Sequence, residues 1–245
     1  MKNKYGLSRA IPSEVKRIIR QHCGFGCVIC GSGIIQYEHV EPEFHDATEH
    51  NPEKMTLLCP QCHAKVTTKF WSKEKVLKAM ESPICKMQGF SREVFDIGHG
   101  YPALQFGGLL LKNCPIPIQV GEVPLFKIEP PEEDGAPFRL SGFFCDSKGV
   151  VSLKIIENEW QANSNNWDVE VSGGAITIRE AKRDIHLKLV ASPPDKIIVE
   201  RLNMFLNGLL FEANGDFLRM QNEQGGTMEF TSCIADNCHV GIAFG

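Results

Sequence analysis

Two Cys-x-x-Cys knuckles, Cys27-Val-Ile-Cys30 and Cys59-Pro-Gln-Cys62, constrain this chain more than anything else in it. Four thiolates presented in two such pairs are the donor set that tetrahedral zinc takes in a closed structural site. Such a site holds together a segment too small to bury an adequate core by itself. The competing use of ten cysteines is a disulfide framework. That use belongs to short exported chains, whereas here Lys2, Lys4 and Arg9 precede no apolar leader segment, so metal binding is the expectation. Cys23 is near enough to compete as a ligand but reads as an ordinary thiol at a helix end.

The knuckles are separated by 28 residues. A bare zinc ribbon needs roughly 15 to 20, so the extra length builds something more. Val15, Ile18 and Ile19 recur at helical spacing between Ser13 and Gly24 and predict a short amphipathic helix. Its basic residues Lys16, Arg17 and Arg20 are either a phosphate contact or a solvated face. Ile34–Phe44 has extended character and predicts a hairpin whose second arm runs near Tyr37–Glu41, with Pro42 as breaker. Pro60 suits the first turn of a helix that carries Cys62, His63 and Lys65. Ser72 then caps a further helix over Lys73–Met80, with Ser82-Pro83 as its stop.

Inside this frame stand Tyr37-Glu38-His39-Val40-Glu41-Pro42 and, after the second knuckle, His63. Together with Cys27-Val-Ile-Cys30 and Leu57-Leu-Cys-Pro-Gln-Cys-His63, they resemble the four-cysteine form of the HNH endonuclease family over about residues 23–70. The resemblance implies a zinc-stapled ββα-metal module that hydrolyses phosphodiester bonds, with His39 as general base. It further implies Glu38, usually Asp in the family, and His63 as ligands of a catalytic Mg2+ or Mn2+ distinct from the structural zinc on Cys27, Cys30, Cys59 and Cys62. The chemistry suits the residues: neutral imidazole can take a proton from water near physiological pH, and a hard cation stabilises charge on the transferring phosphate.

One letter of the motif departs. The position five residues before the third cysteine, usually Asn, is Lys54 here, and Asn51 lies three residues earlier beside His50. Asn51 reaches the site through a shifted loop, or the module works without that residue, or it is catalytically dead. Lys54, Lys65 and Lys69 are candidate phosphate contacts, Lys54 as a point charge. His50 is a candidate extra metal ligand, and His45 reads as a loop residue.

Charge divides the chain. Residues 1–90 hold 13 Lys or Arg against 9 Asp or Glu, whereas the remainder holds 13 against 21, so only the first part welcomes phosphate. The expected partner of that part is nucleic acid, double-stranded DNA in particular. Beyond about Phe90, short Val, Ile, Leu and Phe runs alternate with Gly, Pro, Asn and Asp clusters, which predicts an all-β region. The expected organisation is thus α+β in two domains: residues 1–90 as the HNH module with flanking helices, and 100–245 as an all-β domain. No fixed repeat period is evident in the latter, so a β-sandwich is expected over a solenoid. Self-assembly, protein contact or ligand sensing are its expected roles. A nuclease joined to such a domain is, by architectural analogy, a regulated effector of the kind used against phage. No run is long and apolar enough to span a bilayer, and the expected location is cytoplasmic.

Overall fold

The computed structural model describes residues 2–244. It is α+β with strands dominant, 44% against 15% helix. Its contacts divide it into two units, the residues up to Glu93 together with Ala162–Val171, and Val94–Gln161 together with Ser172 onward. The segment 162–171, which composition alone groups with the β half, thus counts with the first unit.

In the first unit the order is α1 (Ser13–Cys23), β1 (Gln36–His39), β2 (Met55–Leu58), α2 (Pro60–Thr67), α3 (Lys73–Glu81) and α4 (Ile84–Gln88). Helix α1 ends in a Schellman turn. Gly24, at φ 69, donates its N–H to Gln21, and the buried Phe25, also left-handed, donates to Arg20. A side chain at Gly24 would press to 3.0 Å from Cβ of Cys85, which is why the turn into the first knuckle needs glycine.

The hairpin differs from the expected one. Residues 36–39 form its first arm and pair antiparallel with Met55–Leu58, His39 opposite Met55, across the long 40–54 loop. The segment before β1 cannot be a partner because it is the knuckle turn, closed by Gly31 N–H to Cys27 and Cys27 N–H to Ser32. The ladder continues only to Val40 N–H on Lys54, and Pro42, without an N–H, lies beyond. All four β2 residues are buried, since both α1 and α2 pack on that strand. Pro60 opens α2 as expected, Ser72 Oγ caps α3 by accepting from Lys75 N–H, and α4 is an addition the periodicity did not reveal.

The basic residues of α1 make specific contacts within the first unit. Arg20 is buried and bidentate on Asp168, both bonds 2.8 Å, and donates a third to Tyr37 Oη at 2.8 Å. Arg17 lies over the Trp167 ring at 4.7 Å and Lys16 over Tyr37 at 5.5 Å. The contacts of Arg20 and Arg17 anchor 162–171 within the first unit. Truncating one member of a buried, hydrogen-bonded ion pair strands the other charge, so Asp168→Ala is expected to destabilise this unit by about 3 kcal/mol. Denaturant unfolding of the double variant Arg20→Met with Asp168→Leu should show much of that loss recovered; a double variant as weak as the single one would contradict the stranded charge.

The second unit contains an antiparallel meander, Ala175–Ala181, Asp184–Ser192, Lys196–Leu206, Leu209–Ala213, Leu218–Asn222 and Thr227–Phe230. It also holds the antiparallel strands Phe126–Glu129, Arg139–Cys145 and Val151–Ile156. Three parallel ladders are foreign to the expected antiparallel sandwich. Ala103–Phe106 runs beside Lys196–Val199, Leu109–Lys112 beside Cys233–Asp236, and Ile116–Val120 beside Val240–Phe244. The last two share one offset, Leu109 opposite Cys233 and Ile116 opposite Val240. Between them Asn113-Cys114 stacks on Asn237-Cys238, both Asn residues at positive φ, and each cysteine thiol donates to the carbonyl two residues before it. The region is therefore built around a repeated strand, Asn-Cys corner and strand, stacked in solenoid fashion. No fixed period betrays it, because the whole meander separates the two copies. Among the described residues no helix is long and apolar enough to cross a membrane.

Candidate functional site

The first knuckle is tied to the hairpin by Val28 N–H donating to Leu57 at 3.1 Å, and the second opens α2, where Cys59 Sγ accepts from Cys62 N–H at 3.3 Å. This brings the sulfurs of Cys27, Cys30, Cys59 and Cys62 within 4.8 Å of one another, with Cys30 and Cys59 3.6 Å apart. None is in a disulfide. Zn–S bonds of about 2.3 Å in a tetrahedron set neighbouring sulfurs about 3.8 Å apart, so the four-thiol cluster fits zinc. The Cys30 thiol donating to it pulls the Cys27 thiol below its ordinary range. Cys23 stands outside the cluster, 3.5 Å from Thr56 Oγ1, and burial pushes its thiol up to about 11.

On the face of the hairpin toward α2, Glu38 Oε2 meets His63 Nε2 at 2.8 Å. Strand β1 supplies the carboxylate, and the residue after the fourth cysteine supplies the imidazole from the first turn of α2. Both side chains are part-exposed, 23% and 31%. The pair lies on the wall of a groove of about 1270 Å³, whose other walls carry Arg9, Lys69, Lys75, Phe44, Phe70 and Trp71. Two adjacent ligands of an octahedral ion are about 3 Å apart, so this oxygen and nitrogen have a spacing that a divalent cation could bridge, with the carboxylate as its hard donor. Lys69 lines this groove, and Lys65 sits 4.6 Å over the Trp71 ring.

His39 follows Glu38 on the strand, and successive side chains of a strand point to opposite faces. Its ring does not join the Glu38–His63 pair. Nε2 of His39 meets Nδ1 of His50 at 3.1 Å, and Nε2 of His50 meets the Ser8 carbonyl at 2.9 Å. A carbonyl only accepts, so His50 donates from Nε2 to Ser8; with both rings in the neutral form His39 then donates from Nε2 to Nδ1 of His50. Burial, then His50 and Arg9, lower this imidazole to about 4, so it is neutral at physiological pH. Its basicity is correspondingly weak.

Asn51, Lys54 and Glu49 line a cavity of about 70 Å³ together with His39, away from the groove of Glu38 and His63. The shifted asparagine thus reaches the neighbourhood of His39, but its Oδ1 is engaged in capping the short Pro52–Lys54 turn by accepting from Glu53 N–H at 3.0 Å. His50 serves as partner of His39, and His45 is exposed against Asp46. Arg9, Phe44, Phe70 and Trp71 were not among the expected site residues. Phe70 and Trp71 directly follow Lys69, an aromatic-basic cluster that could have drawn notice; the loop fold that delivers Arg9 and Phe44 leaves no mark in the local sequence.

No family model, curated protein or solved structure matches this chain. What it can do is argued from these residues.

Proposed function

We propose that this protein is a metal-dependent endonuclease of the HNH type that hydrolyses phosphodiester bonds in DNA. The observation that carries the reading is the Glu38–His63 pair, set by a hairpin and a cysteine-clamped helix into the wall of a groove with Arg9, Lys69 and Lys75. Mg2+ or Mn2+ held by Glu38 and His63 would stabilise charge on the phosphate and the leaving oxygen. The groove cations draw the backbone in and orient it. His39, the base that the resemblance implies, is neutral but weakly basic and lines the cavity of Asn51 and Lys54 in place of the groove, so this part of the reading rests on the His39→Ala comparison. The four cysteines keep β2 and α2 rigid, and so hold Glu38 and His63 at one spacing. The second unit, in the acidic part of the chain, targets or regulates cutting instead of gripping DNA itself.

A second reading, a zinc-stapled module that binds nucleic acid without cutting it, draws on the burial of His39 and on the capping role of Asn51. Incubating plasmid with Mg2+ or Mn2+ separates the two. Wild type is expected to nick, and His39→Ala to nick about 10² to 10⁴ times more slowly. Equal cleavage by both proteins removes His39 as base. Salt-dependent binding with no nicking under any divalent ion establishes the second reading instead.

A further inference from the structure

We infer that the groove beside Glu38 and His63 takes an unpaired stretch of nucleic acid, one of whose bases stacks on Phe70; this rests on reading that groove as the nuclease site. Phe70 is 77% exposed, the most exposed of the large hydrophobic side chains, yet it stands in the groove wall and not on an outer surface. A fully wetted phenyl ring forgoes the stabilisation that burial gives elsewhere. Its position is built: α2 ends at Thr67, Lys69 turns the chain at φ 61, and Trp71 N–H donates back to the Lys65 carbonyl at 2.9 Å. The turn seats Trp71 under two ammonium groups, Lys75 at 4.1 Å and Lys65 at 4.6 Å from its ring centre. Across the groove the Arg9 guanidinium covers the Phe44 ring at 4.6 Å. Two of the three groove aromatics are thus already covered by cations, whereas Phe70 has no cation or ring over it among the described residues.

An open aromatic face in a groove that carries Arg9, Lys69 and Lys75 as well as Glu38 and Glu43 matches the two surfaces of a single-stranded nucleotide, a flat base and a phosphate. A duplex offers the phosphates alone, because its bases are stacked on each other. An apolar protein partner is a poorer match, since the ring is flanked by Lys69 and Lys75 and not by further exposed apolar groups of the groove. Charge complementarity and the single free ring therefore select one occupant, a strand with an unpaired base at Phe70.

The test is equilibrium binding by the full-length, zinc-loaded protein without added Mg2+ or Mn2+, followed by anisotropy of a labelled oligothymidylate and of a labelled duplex of the same length. The single strand is expected to bind more tightly than the duplex. Phe70→Ala should weaken single-strand binding about tenfold, from the loss of one base stack, and leave duplex binding nearly unchanged, while Phe70→Trp keeps it. An unchanged single-strand affinity in Phe70→Ala, an equal loss on both probes, or no binding of the oligothymidylate overturns the inference. Since no cutting is measured, the outcome is independent of catalysis. Selective loss in Phe70→Ala beside a wild type that never nicks plasmid would keep the stacking site and remove the nuclease, whereas normal nicking with insensitive binding would do the reverse.

Discussion

Replacing Cys59 with Ser, or stripping the metal with a strong chelator, leaves the first unit without a stable fold. The expected loss is large, about 10 kcal/mol on the scale of structural zinc sites in small modules. The reason lies in what the metal holds. Strands β1 and β2 have four residues each, and a lone two-stranded hairpin is at best marginal in water. Three of the four cysteines, Cys27, Cys59 and Cys62, sit inside the core cluster with Ile19, Leu57 and Val66. Cys59 has a second task, since its sulfur caps α2 by accepting from Cys62 N–H. Elemental analysis should find about one zinc per chain in the wild type and a deficit in Cys59→Ser, accompanied by rapid proteolysis within residues 24–90. Cys23→Ser is the contrast: that thiol is buried against Thr56 outside the cluster, so zinc content should hold and stability should fall by only about 1 kcal/mol. Full zinc and unaltered stability in Cys59→Ser would show that the four thiols merely neighbour one another.

The second large effect is on chemistry. Glu38→Ala and His63→Ala are each expected to lower Mg2+-dependent nicking about a thousandfold, because either change halves the protein's hold on the cation. Both side chains are part-exposed, so neither substitution should disturb folding or zinc content. The double variant should be little worse than either single one, since groups that act as a unit are not additive. Glu38→Asp keeps the carboxylate but shortens its reach and should retain part of the rate. Nicking that survives in both alanine variants would place the reaction elsewhere.

Much of the first unit was legible because its signals are local. A knuckle is readable as Cys-x-x-Cys, Pro60 and Ser72 mark helix starts through their own backbone and side-chain chemistry, and α1 lies where apolar spacing put it. The pairing of β1 was not, because its partner lies beyond a long loop and strand pairing is a non-local choice. For the same reason the sequence could align Glu38 with His63 only through resemblance, and it gave no hint that His39 would face His50. The basic residues of α1 illustrate a different limit. Arg20 and Lys16 look alike in a charge count, yet Arg20 is buried on Asp168, a residue distant in the chain, and no pattern within either segment announces that pairing.

In the second unit the strands at Leu109–Lys112 and Ile116–Val120 fell where β-branched and leucine runs ended at turn residues. In strands such as Arg139–Cys145 and Glu159–Asn163 the Arg, Ser, Gly, Gln and Asn residues dilute the alternation. The Asn-Cys corners were visible as dipeptides, and only their stacking gives them meaning. Cys114 and Cys238 are then corner thiols, each bonded to a backbone carbonyl.

The most direct measurement is a Mn2+ titration of the zinc-loaded protein followed by electron paramagnetic resonance. Binding of about one Mn2+ per chain in the wild type, lost in both Glu38→Ala and His63→Ala while zinc stays at about one, is the expected result. Mn2+ binding that is the same in all three proteins would contradict the assignment of Glu38 and His63 as the site of the hard cation, and with it the nuclease.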